Sequence, residues 1–215
     1  MNTLVTDFDG TLTQYDFFEL VRRRWPSPPG DDPWDDYVAG RVTHFEALAK
    51  IFGRIRTTES TLREIAAAMD LDPGAGKAAQ TLKNHGWEVV VASAGCDWYI
   101  RQLLADFASS LEIHANPGTF EEGKGLLMTL PERSRFFSPE TGVDKLAIVR
   151  DAIARSGKVA FAGDGRPDLE PALLVAPELR FARGWLAEEL QRRGESFRPF
   201  QRWSEIAHQL LSQTC

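Results

Sequence analysis

The chain has 215 residues, of which 43% are hydrophobic and 26% are charged, and its formal net charge is -6 at pH 7. This composition is typical of a globular protein, either one domain or a core with an insertion, and the acidic balance argues against a nucleic-acid surface, which needs a basic patch. No apolar run reaches the roughly 18 residues that a bilayer span requires, so we expect a cytoplasmic protein with small metabolites, and neither nucleic acid nor a membrane, as partners. Cys96 and Cys215 are too few for a disulfide framework.

The first predicted element is a short apolar run, Leu4-Val5, which leads into the acidic motif Asp7-Phe8-Asp9-Gly10-Thr11. Open α/β sheets bind ligands at the carboxyl ends of their strands, so these carboxylates occupy an expected active-site position. Two interpretations are open at this point. The motif is either a turn, because Asp and Gly favour turn conformations, or a pair in which one carboxylate attacks phosphorus and the other handles the proton. In the second case a hard cation neutralises their repulsion.

Residues 14–72 show helical patterns and no convincing strand pattern. A proline-rich loop over residues 26–33 precedes three predicted helices near residues 34–39, 43–53 and 58–69. Thr43 with Glu46, and Ser60 or Thr61 with Glu64, resemble helix-start capping boxes. We therefore predict an all-helical insertion directly after the first strand.

From residue 77 onward, predicted helices and strands alternate, which indicates a parallel sheet covered by helices. Strands are predicted at residues 87–92, 111–115, 158–162 and 179–182, the last of these being the final strand, and the glycines at 123 and 125 predict a hairpin turn. Helices are predicted at residues 77–84, 97–107, 185–193 and 204–211, and another opens after Gly142. Trp98 and Tyr99 are interpreted as packing residues. The predicted fold class is α/β, with a Rossmann-like three-layer parallel-sheet core.

Polar residues stand where these strands end and where one helix begins. Ser93-Ala94-Gly95 exposes a hydroxyl and backbone N–H groups suited to phosphate, although such loops are common. Lys145 lies in a first helical turn, where the helix dipole disfavours a cation, so it is either an exposed lysine or an anion ligand. Asp168 is either a helix cap or a site residue. The sheet edge is thus expected to collect Asp7, Asp9, Ser93, Lys145, Asp164 and Asp168.

This set resembles the four signature motifs of the haloacid dehalogenase-like phosphohydrolase superfamily. The motifs are, in order, Asp7-Phe8-Asp9-Gly10-Thr11-Leu12-Thr13, Ser93, Lys145 and Gly163-Asp164-Gly165-Arg166-Pro167-Asp168. A helical bundle inserted after the first motif is called a C1 cap in that superfamily. The resemblance therefore implies a core of residues 1–13 and 73–215 with a helical cap of residues 14–72, as in the phosphoserine phosphatase-like branch.

The resemblance implies a Mg²⁺-dependent phosphomonoesterase that acts on a small phosphorylated metabolite through an aspartyl-phosphate. Asp7 is then the nucleophile and Asp9 the general acid and base. Mg²⁺ is expected to bind the side chains of Asp7 and Asp164 and the carbonyl oxygen of Asp9. Asp168 is expected to support the metal site or to orient Lys145. The implied phosphate-binding residues are Ser93, Lys145 and, through backbone N–H groups, Gly10 and Ala94.

Within that branch, the chain is more similar to the methionine-salvage phosphatases that act on 2-hydroxy-3-keto-5-methylthiopentenyl-1-phosphate. The similarity rests on five segments, which are Asp16 in Tyr15-Asp16-Phe17-Phe18, Gly95-Cys96-Asp97-Trp98-Tyr99, Asp168-Leu169-Glu170-Pro171-Ala172, Phe181-Ala182-Arg183-Gly184-Trp185-Leu186 and Phe197-Arg198-Pro199-Phe200. Phosphoserine phosphatases usually carry Glu at the position of Asp16, which makes Asp16 a candidate for substrate recognition, unless it only caps the following helix. The salvage enol-phosphate is the expected substrate. The alternatives are phosphoserine or another small phosphorylated metabolite, and a phosphotransferase reaction on the same core.

Overall fold

The apolar runs of the sequence form the strands of a parallel sheet at the centre of the fold. The computed structural model describes residues 1–212, and its elements are numbered here in chain order. The strands are β1 (Asn2–Thr6), β2 (Trp87–Cys96), β3 (Leu111–Asn116), β4 (Gly118–Glu121), β5 (Gly125–Met128), β6 (Phe137–Ser138), β7 (Gly142–Val143), β8 (Val159–Gly163), β9 (Arg180–Ala182) and β10 (Arg198–Pro199). The helices are α1 (Phe17–Arg24), α2 (Pro33–Val38), α3 (His44–Gly53), α4 (Glu59–Ala67), α5 (Ala75–Asn84), α6 (Asp97–Leu103), α7 (Lys145–Arg155), α8 (Leu169–Leu173), α9 (Gly184–Arg193) and α10 (Ser204–Leu211). Within residues 1–212, none of these helices has the length and hydrophobicity to cross a membrane.

Strand β1 lies in the middle of the sheet, between β2 and β8. The strand order is β10-β9-β8-β1-β2-β3, and every neighbouring pair is parallel. The last residue of β1 pairs with Val91 of β2 and with Ala162 of β8. Because the three strands run in the same direction, Asp7, Ser93 and Asp164 lie at the same edge of the sheet.

Successive side chains of the strands point to opposite faces of the sheet, and each face has its own hydrophobic core. Leu4 and Val89 lie in one core with residues of α5, α6 and α10. Val5 and Val90 lie in the other core with residues of α7, α8 and α9. Nearly every residue of β1, β2 and β8 is buried, and their apolar runs at residues 4–5, 89–92 and 159–162 reflect a sheet that is covered on both faces. The predicted α/β class with a three-layer parallel-sheet core is confirmed.

Helices α1 to α4 form an insertion between β1 and α5. Within residues 14–72 the structure has these four helices and no strand beyond the isolated bridge of Leu71 to Thr13. The predicted capping box of α3 is confirmed, since Glu46 N donates to Thr43 Oγ1 at 3.1 Å and Thr43 N donates to Glu46 Oε2 at 2.8 Å. The division into a core and a cap of residues 14–72 stays a prediction.

Several helix starts differ from the prediction. Helix α5 begins at Ala75, two residues before the predicted start at residue 77. The sequence pattern places Pro33 in a loop, whereas it is the first residue of α2, a position where the missing N–H and the fixed φ of proline are tolerated. The capping box predicted at Ser60 or Thr61 is wrong. Thr58 caps α4 instead, because its Oγ1 accepts the Thr61 N–H at 3.3 Å.

Some strand and helix ends also differ. Strand β2 continues beyond residue 92 to Cys96, with a register shift against β3, so Ser93 lies in the irregular end of a strand. Strand β9 is not the final strand, because the two residues of β10 pair with it. Helix α6 ends at Leu103 instead of residue 107. Two-residue strands such as β6, β7 and β10 are too short to show a periodicity in the sequence.

The start of α3 lies against the core loop between β6 and β7. The backbone N–H groups of His44 and Phe45 donate to Glu140, at 3.1 Å to Oε1 and at 2.9 Å to the carbonyl oxygen respectively. These bonds satisfy two of the N–H groups that the first turn of a helix leaves unpaired. They attach the insertion to the loop that leads into α7.

We predict that Phe161→Ala lowers the free energy of unfolding by about 3–5 kcal/mol, because Phe161 of β8 is fully buried and the lost ring leaves a cavity. Ile153→Ala is the control, since Ile153 of α7 is 46% exposed. Its free energy of unfolding should stay within about 0.5 kcal/mol of the wild-type value. Urea unfolding followed by circular dichroism measures both variants. Equal losses in the two variants would contradict the assignment of Phe161 to the core.

Candidate active site

A buried lysine bridges two carboxylates at the edge of the sheet. Lys145 is the first residue of α7, and Asp144 caps this helix by accepting the Ala147 N–H at 2.9 Å. The Lys145 ammonium lies 2.7 Å from Asp7 Oδ1 and 2.6 Å from Asp168 Oδ1. Lys145 is only 5% exposed, so its interpretation as an exposed lysine is wrong. Burial opposes the charged form, but the carboxylates of Asp168 and Asp7 outweigh burial and raise the pKa of Lys145.

Asp168 is fully buried, and the protein binds both of its carboxylate oxygens. Oδ1 accepts from Lys145, and Oδ2 accepts the backbone N–H groups of Asp164 at 3.1 Å and Gly165 at 2.9 Å. Its side chain makes no capping bond to α8, so the helix-cap interpretation of Asp168 is wrong. Asp168 holds the loop after β8 in place and orients Lys145. Gly163 permits this approach, because a Cβ there would lie 2.6 Å from Asp168 Cγ.

Asp164 lies against the loop of the first motif. Its Oδ1 accepts from Thr11 Oγ1 at 2.9 Å, and a Cβ at Gly10 would meet its Oδ2 at 2.3 Å. Gly10 also has a φ of +66°, which favours glycine. The Gly10 N–H donates to Thr13 Oγ1 at 3.1 Å, and its carbonyl oxygen accepts from Arg183. Because both backbone groups are occupied, the geometry does not favour the predicted phosphate contact at Gly10.

The carboxylate of Asp9 has neutral hydrogen-bond donors as partners. The Tyr99 hydroxyl lies 2.9 Å from Oδ1 and 3.0 Å from Oδ2, and the Phe17 N–H donates to Oδ1 at 3.2 Å. Ser93 Oγ lies 3.4 Å from Oδ2. Burial raises the pKa of Asp9, while these hydrogen bonds favour the charged form and limit the rise. Asp7 and Asp9 therefore lie in different environments although only one residue separates them.

Ser93 and Ala94 lie at the irregular end of β2 and line the same cavity as Asp9. Ser93 Oγ accepts the Gly95 N–H at 2.9 Å. Asn116 of β3 donates to the Ala94 carbonyl oxygen at 2.8 Å and so holds this segment from the neighbouring strand. Ser93 and Ala94, two of the four predicted phosphate-binding residues, therefore lie in the cavity.

Asp16 precedes α1 but does not cap it, since its side chain makes no capping hydrogen bond. The helix-cap interpretation of Asp16 is wrong. A Cβ added at Gly10 would lie 2.3 Å from Asp164 Oδ2 and 3.1 Å from Asp16 Oδ2. The carboxylates of Asp16 and Asp164 therefore lie side by side next to Gly10. Burial, followed by the charges of Asp9 and Asp7, raises the pKa of Asp16 well above its ordinary value. Asp16 lines the cavity between the insertion and the sheet.

Three carboxylates form a cluster that fits a divalent cation. One oxygen from each of Asp7, Asp164 and Asp168 lies within 4.8 Å of the others. Burial raises the pKa of Asp7 to about 7 against the opposing charge of Lys145. Burial and the charge of Asp16 raise the pKa of Asp164 well above its ordinary value. A hard cation such as Mg²⁺ takes oxygen ligands and relieves this crowding of carboxylates.

The hydrogen bonds indicate which oxygens of this cluster are available to a cation. Asp168 uses both oxygens for Lys145 and for backbone N–H groups. Asp7 uses Oδ1 for Lys145, and Asp164 uses Oδ1 for Thr11. Among residues 1–212, the Oδ2 atoms of Asp7 and Asp164 have no such partner. These two side chains therefore fit the role of metal ligands, and Asp168 fits a supporting role.

A cavity of about 480 Å³ lies between the insertion and the carboxyl edge of the sheet. This volume is in the range of small-molecule sites. Its core side contains the acidic cluster and Lys145, and its insertion side is mostly aromatic and apolar, with Phe18, Trp34, Leu48 and Phe52. Among the described residues that line it, the only Lys and Arg side chains are those of Lys145 and Arg166, and both belong to the core.

Sequence reasoning missed Tyr99 and Arg183 as residues that shape the site. The interpretation of Tyr99 as a packing residue is incomplete, because its ring stacks on Phe17 with centroids 4.3 Å apart while its hydroxyl binds Asp9. Arg183 holds the end of the first motif by donating to the carbonyl oxygens of Gly10 and, at 2.8 Å, Thr13. The available signals were their positions, since Tyr99 lies in a first helical turn after the Ser93 loop and Arg183 directly follows a strand.

His44 is another lining residue that the sequence did not identify. It is 7% exposed, and its Nδ1 atom is buried without a hydrogen-bond partner among residues 1–212. An unpaired buried polar group costs about 1–3 kcal/mol, so its presence requires an explanation. Burial, with the charge of Lys145 acting in the same direction, lowers the pKa of His44 to about 3. The imidazole is therefore neutral near pH 7.

Comparison with known proteins identifies the family. The family model described as haloacid dehalogenase-like hydrolase matches residues 4–172, which contain all four motifs. The 2-hydroxy-3-keto-5-methylthiopentenyl-1-phosphate phosphatase of Brevibacillus brevis is 25% identical over 220 residues, covering 98% of this chain and 96% of that protein. The protein of the same name from Exiguobacterium sp. is 23% identical over 207 residues, covering 95% of this chain and 94% of that protein.

A solved structure described as a substrate-bound phosphoserine phosphatase complex superposes on this chain with a TM-score of 0.67. It is 16% identical, and the match covers 96% of this chain and 97% of that chain. This likeness shows a shared fold that includes the sheet and the insertion. The chain belongs to the haloacid dehalogenase-like hydrolase family and is a phosphoric monoester hydrolase.

Proposed function

We propose that this protein is a Mg²⁺-dependent phosphatase that cleaves a small phosphomonoester through an aspartyl-phosphate on Asp7. The observation that carries the proposal is the separation of two carboxylates that are close in sequence. Asp7 lies 2.7 Å from Lys145 within the acidic cluster, whereas Asp9 binds Tyr99 and Phe17. A nucleophile must be ionised and a general acid must be protonated, so two environments suit two tasks.

In the first step, an oxygen of Asp7 forms a bond to phosphorus while the bond between phosphorus and the leaving alcohol oxygen breaks. Lys145 holds Asp7 Oδ1 and so orients the nucleophile. Asp9 gives its proton to the leaving oxygen, and the burial that raises its pKa favours the protonated form that this step needs. Tyr99 and Ser93 hold the carboxyl group of Asp9 in position.

In the second step, water attacks the phosphorus of the aspartyl-phosphate and the bond to the Asp7 oxygen breaks. Asp9, now ionised, accepts a proton from the attacking water. Inorganic phosphate leaves, and Asp7 and Asp9 return to their starting states. One difficult displacement thereby becomes two easier ones.

The side chains of Asp7 and Asp164 and the carbonyl oxygen of Asp9 are the proposed Mg²⁺ ligands. The bound cation supplies positive charge that offsets the repulsion among the carboxylates and the negative charge of the phosphoryl oxygens. Ser93, Lys145 and the backbone N–H of Ala94 hold the transferring oxygens.

The proposed substrate is 2-hydroxy-3-keto-5-methylthiopentenyl-1-phosphate. Support comes from the two relatives of that name, which match nearly the whole chain. The apolar insertion side of the cavity suits a methylthio chain, and among the described residues it offers no Lys or Arg to pair with the carboxylate of phosphoserine. Phosphoserine is the second candidate, because Asp16 and Glu19 both line the cavity and suit an ammonium group.

Phosphate release from a panel of small phosphomonoesters, measured with Mg²⁺ and with EDTA, tests the function. We expect release that requires Mg²⁺ and that EDTA abolishes. Faster transfer to an added alcohol than to water would favour the phosphotransferase alternative. A lack of hydrolysis across the panel would contradict the proposal.

We predict that Asp164→Asn raises the Tm of the metal-free protein at pH 7 and abolishes the increase in Tm that Mg²⁺ causes. Burial and neighbouring carboxylates raise the pKa of Asp164 well above its ordinary value. When the pKa of a carboxyl is higher in the folded state than in the unfolded state, the group stabilises the fold fully at a pH below its unfolded pKa. As the pH rises from the unfolded pKa toward the folded pKa, this contribution to stability is lost. The neutral amide removes that loss, and it also removes a Mg²⁺ ligand.

The control for this prediction is Asp106→Asn, which makes the same chemical change at an exposed residue and should produce neither effect. Thermal unfolding in EDTA and in Mg²⁺ measures both variants. A Mg²⁺-dependent increase in Tm that persists in Asp164→Asn would show that the ion is bound elsewhere.

We predict that Tyr99→Phe, which removes the Tyr99 hydroxyl, moves the basic limb of the pH profile of kcat/KM to higher pH. The hydroxyl donates to Asp9 and stabilises its carboxylate, which holds the pKa of Asp9 below the value that burial alone would produce. In Tyr99→Phe the hydrogen bond that favours the carboxylate is absent, so Asp9 stays protonated to a higher pH. Tyr15→Phe, at a 45% exposed residue, is the control and should leave the profile unchanged. A limb that stays in place in Tyr99→Phe would mean that it does not report Asp9.

We predict a higher kcat/KM for the salvage enol-phosphate than for phosphoserine. Asp is one methylene shorter than Glu, so Asp16 reaches less far toward a substrate ammonium, and sites discriminate strongly against unpaired charged groups. In Asp16→Glu, kcat/KM for phosphoserine should rise relative to the enol-phosphate. Side-by-side kinetics measure both. A wild-type preference for phosphoserine of tenfold or more, about 1.4 kcal/mol in transition-state binding, would make phosphoserine the substrate.

A further inference from the structure

His44 is a polar residue of the cavity that the proposed mechanism does not use. It lies at the start of α3, and its backbone N–H donates to Glu140 of the core at 3.1 Å. Its ring lies edge-on to two aromatic rings of the insertion, with centroids 5.1 Å from Tyr37 and 5.7 Å from Trp34. The side chain is therefore fixed at the junction between the insertion and the core.

The surroundings of the ring do not explain why this residue is a histidine. Nδ1 is buried and unpaired within the part of the chain that the structure describes. The neighbouring rings contact the imidazole through their edges and faces, as they would contact a phenylalanine ring. A residue chosen only for packing would not need ring nitrogens here. Nδ1 is closed off from the cavity, so a molecule that enters can reach only Nε2, which is neither buried nor hydrogen-bonded among residues 1–212. This nitrogen points to a partner that enters the cavity.

The charge state of His44 limits what that partner can be. Burial lowers the pKa of His44 to about 3, so the imidazole is neutral under ordinary conditions and offers one N–H donor and one acceptor nitrogen. It is not a cation that could pair with a carboxylate. A hydroxyl or carbonyl oxygen is a sufficient partner, because a neutral imidazole gains no ion pair from a charged group.

The position of His44 indicates which end of the substrate it meets. Lys145, Ser93 and the acidic cluster occupy the core side of the cavity, where the phosphoryl group is proposed to bind. The insertion side is left to the leaving alcohol. Phe18 and Trp34, stacked with ring centroids 4.1 Å apart, provide an apolar surface for the rest of that group.

We propose that His44 determines specificity by forming a hydrogen bond to an oxygen of the leaving group, so that the cavity selects phosphomonoesters whose alcohol carries an uncharged hydroxyl or carbonyl oxygen. The inference rests on the proposed function, since the leaving group is the alcohol released when Asp7 takes the phosphoryl group. It assigns to the insertion a polar contact that supplements its apolar ones.

Two variants and two substrates test the inference. His44→Phe keeps an aromatic ring and removes both nitrogens, and His44→Gln keeps one donor and one acceptor group. Dihydroxyacetone phosphate has a carbonyl and a hydroxyl oxygen on its leaving group, whereas n-propyl phosphate has the same carbon skeleton with neither. We expect His44→Phe to lower the ratio of kcat/KM for dihydroxyacetone phosphate over n-propyl phosphate by about tenfold or more, and His44→Gln to lower it less.

Two further measurements separate this role from a structural one. His208→Phe makes the same chemical change at an exposed residue outside the cavity and should leave the substrate ratio unchanged. The Tm of His44→Phe should equal or exceed that of the wild type, because the substitution removes an unpaired buried polar atom. A structural role predicts instead a lower Tm and equal losses on both substrates.

The outcomes distinguish the inference from the proposed function. If the wild type hydrolyses phosphomonoesters and His44→Phe leaves the ratio unchanged, or both substrates lose equally, the inference is wrong while the function stands. If the wild type hydrolyses no phosphomonoester in Mg²⁺, the proposed function fails and the inference fails with it.

Discussion

The site depends on one buried ammonium that two carboxylates share. Lys145 connects the start of α7 to the end of β1 through Asp7 and to the loop after β8 through Asp168. A buried ion pair adds little net stability, because the desolvation of the charges offsets their attraction, whereas removal of one partner leaves an unpaired buried charge. The contribution of Lys145 is therefore positional. It fixes three segments that are distant in sequence and lets Asp168 act on the loop that carries Asp164.

The same cluster contains more negative charge than Lys145 can neutralise. Asp7, Asp16 and Asp164 all have pKa values raised by burial and by other carboxylates. Functional sites commonly tolerate such repulsion at a cost in stability that other parts of the fold offset. Here the two apolar cores on the faces of the sheet provide that stability. The excess of carboxylate oxygens is also the reason why a hard divalent cation fits the site.

Some features were predictable because they follow from local pattern and sheet geometry. Apolar strands that alternate with helices indicate a parallel sheet, and parallel strands bring their carboxyl ends to one edge, so Asp7 and Asp164 could be assigned to one site. The partners of these residues were harder to predict. Tyr99 is 90 residues from Asp9, and its hydroxyl has a role only once α6 lies beside the first motif. The unpaired nitrogen of His44 depends in the same way on how the insertion packs against the core. The strand β10 is too short to leave a pattern in the sequence.

In the proposed mechanism, Asp7 carries the phosphoryl group between two chemical steps. The most direct test is to quench the enzyme with acid during steady turnover of a phosphomonoester in Mg²⁺, reduce the acyl-phosphate with borohydride, and locate the reduced side chain by peptide mass spectrometry. We expect the modification at Asp7, and we expect it to depend on both substrate and Mg²⁺. A modification at another residue, or an unmodified Asp7 in enzyme that is turning over, would contradict this mechanism.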